Sequence, residues 1–448
     1  MVSLLTLPTE IQDAILSEIP SQQLCSLSRT CHLLYKALLP LVYHDIIIRI
    51  TRHKGVPTGI TCLLRTILER PAYANYITRL SFDENCEIQG PCCTPLLLRG
   101  LKDDANRALV QRAVEELRLP NPHEWISAIF ECDNVSAVSS LLLARCAHLQ
   151  SFSLNPSATY TYYTSPWFEW VLEYTLSAPR DREELSSFNS LSHLTIHGGK
   201  LSVKAFLLLF YLPRVATLDL ACTGYYDRYT KGDGSLIWPT YIVPQWPLAN
   251  PPNATNLTSL RLRETKTTVR TIEFVLRQTP NLKSLFYHRI SSYLELSELR
   301  KALDHVRVSL SYLEVRYGMI DEPDPENLAT LFAGRLGSLA SFAALEELNI
   351  SFAVLYGHDR PPPWGSSLAE LLPSGLRRLT MNCDLEGYHT FEDWNFGEVG
   401  GETTVLEAYA RNGWKTATPH LEELTVDWKD AYSSTTRRSS PPHVSQYP

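Results

Sequence analysis

The chain has 448 residues, 44% of them hydrophobic and 20% charged, long enough for a sizeable core and for one small domain joined to a large one. A formal net charge of -7 excludes a general nucleic-acid or acidic-membrane binder, because such proteins need a basic surface to release counterions or meet anionic headgroups. Ten scattered cysteines without a C-x-x-C pair predict reduced thiols of cytosol or nucleus rather than a disulfide framework.

The first 45 residues carry three short helical patterns. Pro8 opens the first, where its missing N-H costs nothing, and Ile11, Ala14, Ile15 and Ile19 form its apolar stripe before Pro20. Ser21 is placed to cap a second helix in which Leu24, Leu27 and Cys31 share a face. Leu33, Leu34, Ala37, Leu38 and Leu41 mark a third, which Pro40 is expected to end or kink near Leu39. No basic and apolar leader with a cleavage site precedes them, and no apolar run approaches the roughly 18 to 20 residues of a membrane span. The expectation is a soluble, intracellular protein, cytoplasmic and/or nuclear. On that expectation the sequons at Asn134, Asn253, Asn256 and Asn349 are chance matches.

From Ile60 the pattern becomes helix, proline break and strand, and the strand-like ending L-x-x-L-x-L recurs. Ten copies start at Ile77, Leu149, Leu191, Val215, Leu257, Leu282, Leu310, Leu345, Leu376 and Leu421. From 282 to 310, 345 and 376 the intervals are 28, 35 and 31 residues, a period near 30 that indicates stacked repeats. Positions 4 and 6 of each copy are apolar and alternate with polar positions, the pattern of a strand buried on one face. Helical patterns between copies return the chain for the next parallel strand, and one repeat cannot cover its own apolar face. The predicted fold class is therefore α/β, a curved solenoid with a parallel sheet on its concave side. Its domains are a helical segment over 1-50, a helical linker or cap over 51-76 and the solenoid over 77-431. Irregular, Pro-, Gly- and aromatic-rich stretches at about 224-256, 356-367 and 386-402 read as loop inserts, and 432-448 as a disordered tail.

The stretch LPTEIQDAILSEIPSQQLCSLSRTCHLLYKALLPLVYHDI closely resembles the F-box motif: L-P-x-E-I, I-L-s-x-I-P, L-x-x-L-s-r-t-C and the L-Y and P-x-L-Y pairs are matched, with Val42 where a leucine is usual. The remainder is similar to the degenerate leucine-rich repeats of fungal F-box proteins, although the asparagine or cysteine that normally follows L-x-x-L-x-L is mostly absent. The resemblance implies a non-catalytic substrate-recognition subunit of a Skp/cullin/F-box ubiquitin ligase. The F-box would bind a Skp-type adaptor and, through it, cullin and RING subunits, while the repeats bind an unknown substrate protein. It implies adaptor-binding roles for Leu7, Pro8, Ile11, Ile15, Leu24, Leu27, Cys31 and Leu34, some of which also hold the three helices together. An interaction scaffold that binds the adaptor without acting in ubiquitin transfer fits the same residues.

Positions 3, 5 and 7 of each copy face the concave surface. They include Arg261, Arg263, His288 and Arg316, then Glu347, Glu423 and Asp427. Guanidiniums in a row suit a carboxylate or phosphate, such as an acidic or phosphorylated signal in a substrate; pairing with sheet neighbours such as Glu314 is the alternative. Tyr225, Tyr226, Tyr229, Trp238, Tyr241 and Trp246 of the first insert offer a second candidate surface, or they pin the insert to its own scaffold; TYTYYTSPWFEW invites the same two readings. Phosphate-loop, nucleophile-elbow and H-E-x-x-H patterns are missing. Glu346 and Glu347 are adjacent on a strand and point apart. Cys86, Cys92 and Cys93 bring three thiolates together without a second spaced pair. No enzyme activity, metal or cofactor is expected.

Overall fold

A computed structural model describes residues 7-50, 58-84, 104-131, 134-155, 166-177, 188-197, 201-221, 229-230, 236-237, 244-290, 294-318, 332-357, 367-382, 405-406 and 408-427. The chain divides into two compact units, Met1–Tyr287 with Ala302–Ser309, and His288–Lys301 with Leu310–Pro448.

The first unit opens with three helices, α1 (Thr9–Ser17), α2 (Ser21–Ser28) and α3 (His32–His44). Prolines at positions 8 and 20 precede α1 and α2, and Ser21 is the first residue of α2 rather than its cap. Leu16, Leu24 and Leu38 are buried together, with Ile19, Leu27, Leu34, Leu41 and Val42 packed around them. The expected break near Leu39 does not occur, and α3 runs through Pro40 to His44. Pro40 and Lys36, whose carbonyl loses its helical partner four residues on, are both exposed, so water can serve that carbonyl while Leu38 anchors the buried side.

Strand β1 (Asp45–Ile50) follows α3 directly and pairs in parallel with β2 (Arg79–Glu84). The three helices expected in the first 45 residues end at His44, and the strand over Asp45–Ile50, which the sequence patterns did not indicate, follows them. Between these strands lie a helix over Thr58–Glu69 and a 3-10 turn over Pro71–Tyr76, the helix and proline break read from the sequence. The sheet continues through β3 (Ser151–Asn155), β4 (His193–Ile196), β5 (Thr217–Ala221), β6 (Ser259–Thr265) and β7 (Ser284–Ile290), each strand beside its predecessor. Helices between them cover the apolar side. Those over Val135–Arg145, Val203–Leu208 and Val269–Leu276 are capped by Asn134, Ser202 and Thr268, whose side chains accept from a backbone N-H three residues on. Asn134, half of a sequon, thus has a local structural task.

Strands β2 to β7 each begin two residues after the start of an L-x-x-L-x-L copy. Position 4 forms a column in register, Leu80, Phe152, Leu194, Leu218 and Leu260, and position 6 a second, Phe82, Leu154, Ile196, Leu220 and Leu262. All of the first column and all but Leu154 of the second are buried. The residue opening each copy, from Ile77 to Leu282, is buried as well.

One backbone motif recurs where the strands begin. The carbonyl oxygen at position 2 of a copy accepts from the N-H groups at positions 2 and 3 of the next. Thr78 accepts from Gln150 and Ser151 at 2.8 and 3.0 Å, Gln150 from Ser192 and His193, Ser192 from Ala216 and Thr217, Ala216 from Thr258 and Ser259, and Thr258 from Lys283 and Ser284. The second unit repeats it, Ser311 accepting from Glu346 and Glu347, Glu346 from Arg377 and Arg378, and Arg377 from Glu422 and Glu423.

In that second unit the strands β8 (Tyr312–Gly318), β9 (Glu347–Ile350), β10 (Arg378–Asn382) and β11 (Glu423–Asp427) pair in parallel. They too begin two residues into their copies. The helical returns between them are short, five residues over Phe352–Tyr356 and four over Leu368–Leu371. Gly357 ends the first of these with φ +88°, and a Cβ there would lie 2.6 Å from the Gly334 carbonyl oxygen, so only glycine fits. Among the described residues β11 pairs with β10 alone, and Leu424, in the column of Leu313, Leu348 and Leu379, is 38% exposed. The Leu260→Ala and Leu313→Ala changes, at fully buried column positions, are expected to cost about 2–5 kcal/mol in urea unfolding. Leu424→Ala should cost less than about 1 kcal/mol, in proportion to its smaller burial.

Candidate interaction surfaces

Of the eight residues to which the F-box resemblance assigns adaptor binding, Leu24 lies in the small core of the three helices. Leu27 and Leu34 pack against that core and remain partly accessible, as does Leu7. Pro8, Ile11, Ile15 and Cys31 are exposed. Ile11 and Ile15, 49% and 42% exposed, stand one turn apart on α1 and so share a face. Leu33, outside the predicted set, is 64% exposed at the start of α3. Its stripe of Leu34, Leu38 and Leu41 faces the core, which turns its sequence neighbour outward.

In the first unit, the sheet face opposite the leucine columns carries polar side chains in the same register. Asp219 on β5 is the hub of its central part, although no pattern in the sequence singles it out. Arg263 on β6 grips the carboxylate with both arms of its fork, Nε donating to Oδ1 at 2.8 Å and Nη2 to Oδ2 at 3.1 Å. Nε2 of His197, just beyond β4, lies 3.0 Å from Oδ1. Arg261 Nε is 3.7 Å from Oδ2, an ionic contact beyond hydrogen-bonding range. The Arg261 and Arg263 guanidiniums sit 5.3 and 5.4 Å from the centre of the Phe286 ring on β7, within cation-π range. Glu264 follows at φ +47°. That left-handed residue interrupts the alternation, so that Arg263 and Glu264 both face outward before Thr265 returns to the core.

Arg316 and His288 lie in the second unit. There Glu314, buried on β8, accepts from Arg316 Nε at 2.5 Å, from the Tyr312 hydroxyl, and from Asn349 Nδ2 at 3.2 Å. Asn382 extends the network to Asn349 Oδ1 at 2.8 Å. Arg378 pairs with Glu347. His288 is half-buried, and its ring occupies the space beside Gly318, whose Cβ would lie 3.2 Å from Nε2. Arg261 and Arg263 are thus brought together around one carboxylate, whereas Arg316 belongs to a separate network in the other unit.

Tyr225, Tyr226, Trp238, Tyr241, the cysteines 86, 92 and 93, the stretches 358-366 and 386-402 and the tail 432-448 lie outside the described residues. Trp246 lies inside them, stacked on Phe274 at 4.4 Å and edge-on to Tyr211, whose hydroxyl donates to the Asn250 carbonyl at 2.7 Å. It fastens the end of the first insert to the helix over Val269–Leu276. The second half of TYTYYTSPWFEW opens the helix over Pro166–Ser177, and its Trp167 and Phe168 are core residues. Among the described residues no group of three or more His, Cys, Asp or Glu side chains is placed to hold a metal ion, and no helix is long and apolar enough to cross a membrane.

Burial by itself would raise the pKa of Asp219; the hydrogen bonds and charges of His197 and Arg263 outweigh it and hold the group at about 2. A depressed carboxylate pKa stabilises the fold above the unfolded value near 4, and that contribution fades as pH falls from about 4 to about 2. With Asp219 only 15% exposed, the contribution is about 2 kcal/mol. The Asp219→Asn protein is expected to be less stable than wild type by that order at pH 7 in urea unfolding, with the gap narrowing as the pH is lowered below 4. No protein-family profile matches the chain, and no curated protein matches it.

Proposed function

We propose that the chain is a non-catalytic substrate-recognition subunit of a Skp/cullin/F-box-type ubiquitin ligase. Helices α1 to α3 bind the Skp-type adaptor, and the polar face of the repeat sheet receives the substrate protein. The observation that carries this reading is the division of labour within the N-terminal motif. Leu16, Leu24 and Leu38 close a core of their own, while Ile11, Ile15 and Leu33 remain outside it. Burying a large apolar side chain fully is worth about 1.5–3 kcal/mol, so covering the exposed parts of Ile11, Ile15 and Leu33, 49%, 42% and 64% of each, contributes roughly 2–5 kcal/mol. That offsets only the lower end of an association cost of about 4–15 kcal/mol, and the remainder falls to the partly accessible Leu7, Leu27 and Leu34 and to polar contacts with the partner. The regular sheet behind supplies a rigid platform, and a receptor acts by holding its substrate close to the transfer machinery rather than by chemistry of its own.

The test is co-purification of the tagged chain under proteasome inhibition, with wild type compared to the Ile11→Asp, Ile15→Asp double variant. Because both positions are exposed, the variant should keep the wild-type melting temperature within about 3 °C while adaptor and cullin disappear from its eluate and substrates remain. Adaptor without cullin in the wild-type eluate would point to a scaffold outside ubiquitin transfer. A wild-type eluate with no adaptor at all would remove both readings.

A further inference from the structure

The geometry around Asp219 points to a seat for one anionic group, in which Arg261 is the ligand-binding residue and Arg263 and His197 hold the site in shape. We infer that it takes the carboxylate or phosphate of an acidic peptide segment. The inference rests on the receptor reading and names the class of substrate that the sheet recognises.

The two arginines differ in what they have already done. Arg263 is spent on Asp219 through both arms of its fork, and His197 adds a third hydrogen bond to the same carboxylate. Arg261 makes no hydrogen bond among the described residues; its Nε is sheltered and lacks a hydrogen-bond partner. Its side chain is nevertheless 41% exposed, which opens the remaining N-H groups to an incoming anion. Both guanidiniums meet the single carboxylate of Asp219, and Arg263 holds the closer place on it. Glu264 is the next acid along the strand, turned outward at its left-handed bend beyond Arg263.

Arg261 is also held ready. The Phe286 ring beside both guanidiniums is buried, and it limits the rotamers that a long, flexible side chain would otherwise lose on binding. A planar guanidinium presents paired N-H donors that match a carboxylate or phosphate. A single charge-assisted contact of this kind is worth about 1.5–3 kcal/mol, too little to capture a free ion. The anionic group therefore has to arrive on a peptide that also lies along the neighbouring half-buried hydroxyls of Thr217, Ser259 and Ser284.

The experiment uses the full chain and fluorescence anisotropy with three labelled peptide pools, degenerate at the flanks and fixed at the centre as phosphoserine, glutamate or serine. Phosphoserine, glutamate or both should bind more tightly than serine, and the comparison of the two identifies which source of the anion is preferred. Arg261→Ala should weaken the preferred pool at least tenfold without lowering the melting temperature, and Arg261→Lys should fall between. Arg378→Ala, in the second unit, should leave binding unchanged. Equal affinity for the three pools, or an Arg261→Ala protein that binds as wild type does, would overturn the seat. Adaptor capture is measured independently of the peptides. Loss of the seat with adaptor retained leaves the receptor reading standing, and peptide binding without adaptor removes the receptor reading alone.

Discussion

At the mouths of eight strands, one carbonyl oxygen receives two N-H groups from the following copy, and much of the rest is built on that register. A parallel pair cannot be closed by a tight turn; its partners arrive from tens of residues away, after a helix or a loop of arbitrary length. The forked acceptor at position 2 fixes where each returning chain must enter, from Thr78 to Arg377. Once the entry is fixed, positions 4 and 6 have no choice of face, because a slip of one residue would turn every leucine outward. The leucine columns and the polar face are two consequences of one backbone alignment.

Much of this was legible in the sequence because both signals are strong and local. The ten L-x-x-L-x-L copies locate ten strands to the residue, since apolar side chains at positions 1, 4 and 6 must share one covered face, which leaves no other register. The strand over Asp45–Ile50 escaped notice because DIIIRI carries no leucine and abuts a helix without a loop; only the burial of Ile48 between exposed Ile47 and Arg49 betrays its alternation. Pro40 misled in the opposite direction. Its penalty depends on whether the abandoned carbonyl can reach water, a property of the helix face that the residue type does not record.

The polar cluster shows a different limit. Arg261 and Arg263 stand out in the sequence as a pair, but their meaning depends on Asp219 and His197, which lie two and three copies upstream of Phe286. Nothing in the spacing of 44 residues between Asp219 and Arg263 announces a forked ion pair. It becomes readable only when copies are aligned and the same position is compared between neighbours. Position 5 then reads Thr195, Asp219, Arg261 and Phe286 in spatial order. The same alignment separates Arg316 from the other arginines by giving it Glu314 on its own strand.

The polar face is, in effect, a grid with fixed pitch. Rows recur about every 4.8 Å across the strands and alternate residues about every 7 Å along them, whatever length of chain connects one row to the next. An insertion between strands leaves the pitch untouched, and a change of residue at a grid point leaves the leucine columns behind it undisturbed. Recognition on such a surface can be rewritten one position at a time, in charge or in shape, without renegotiating the fold.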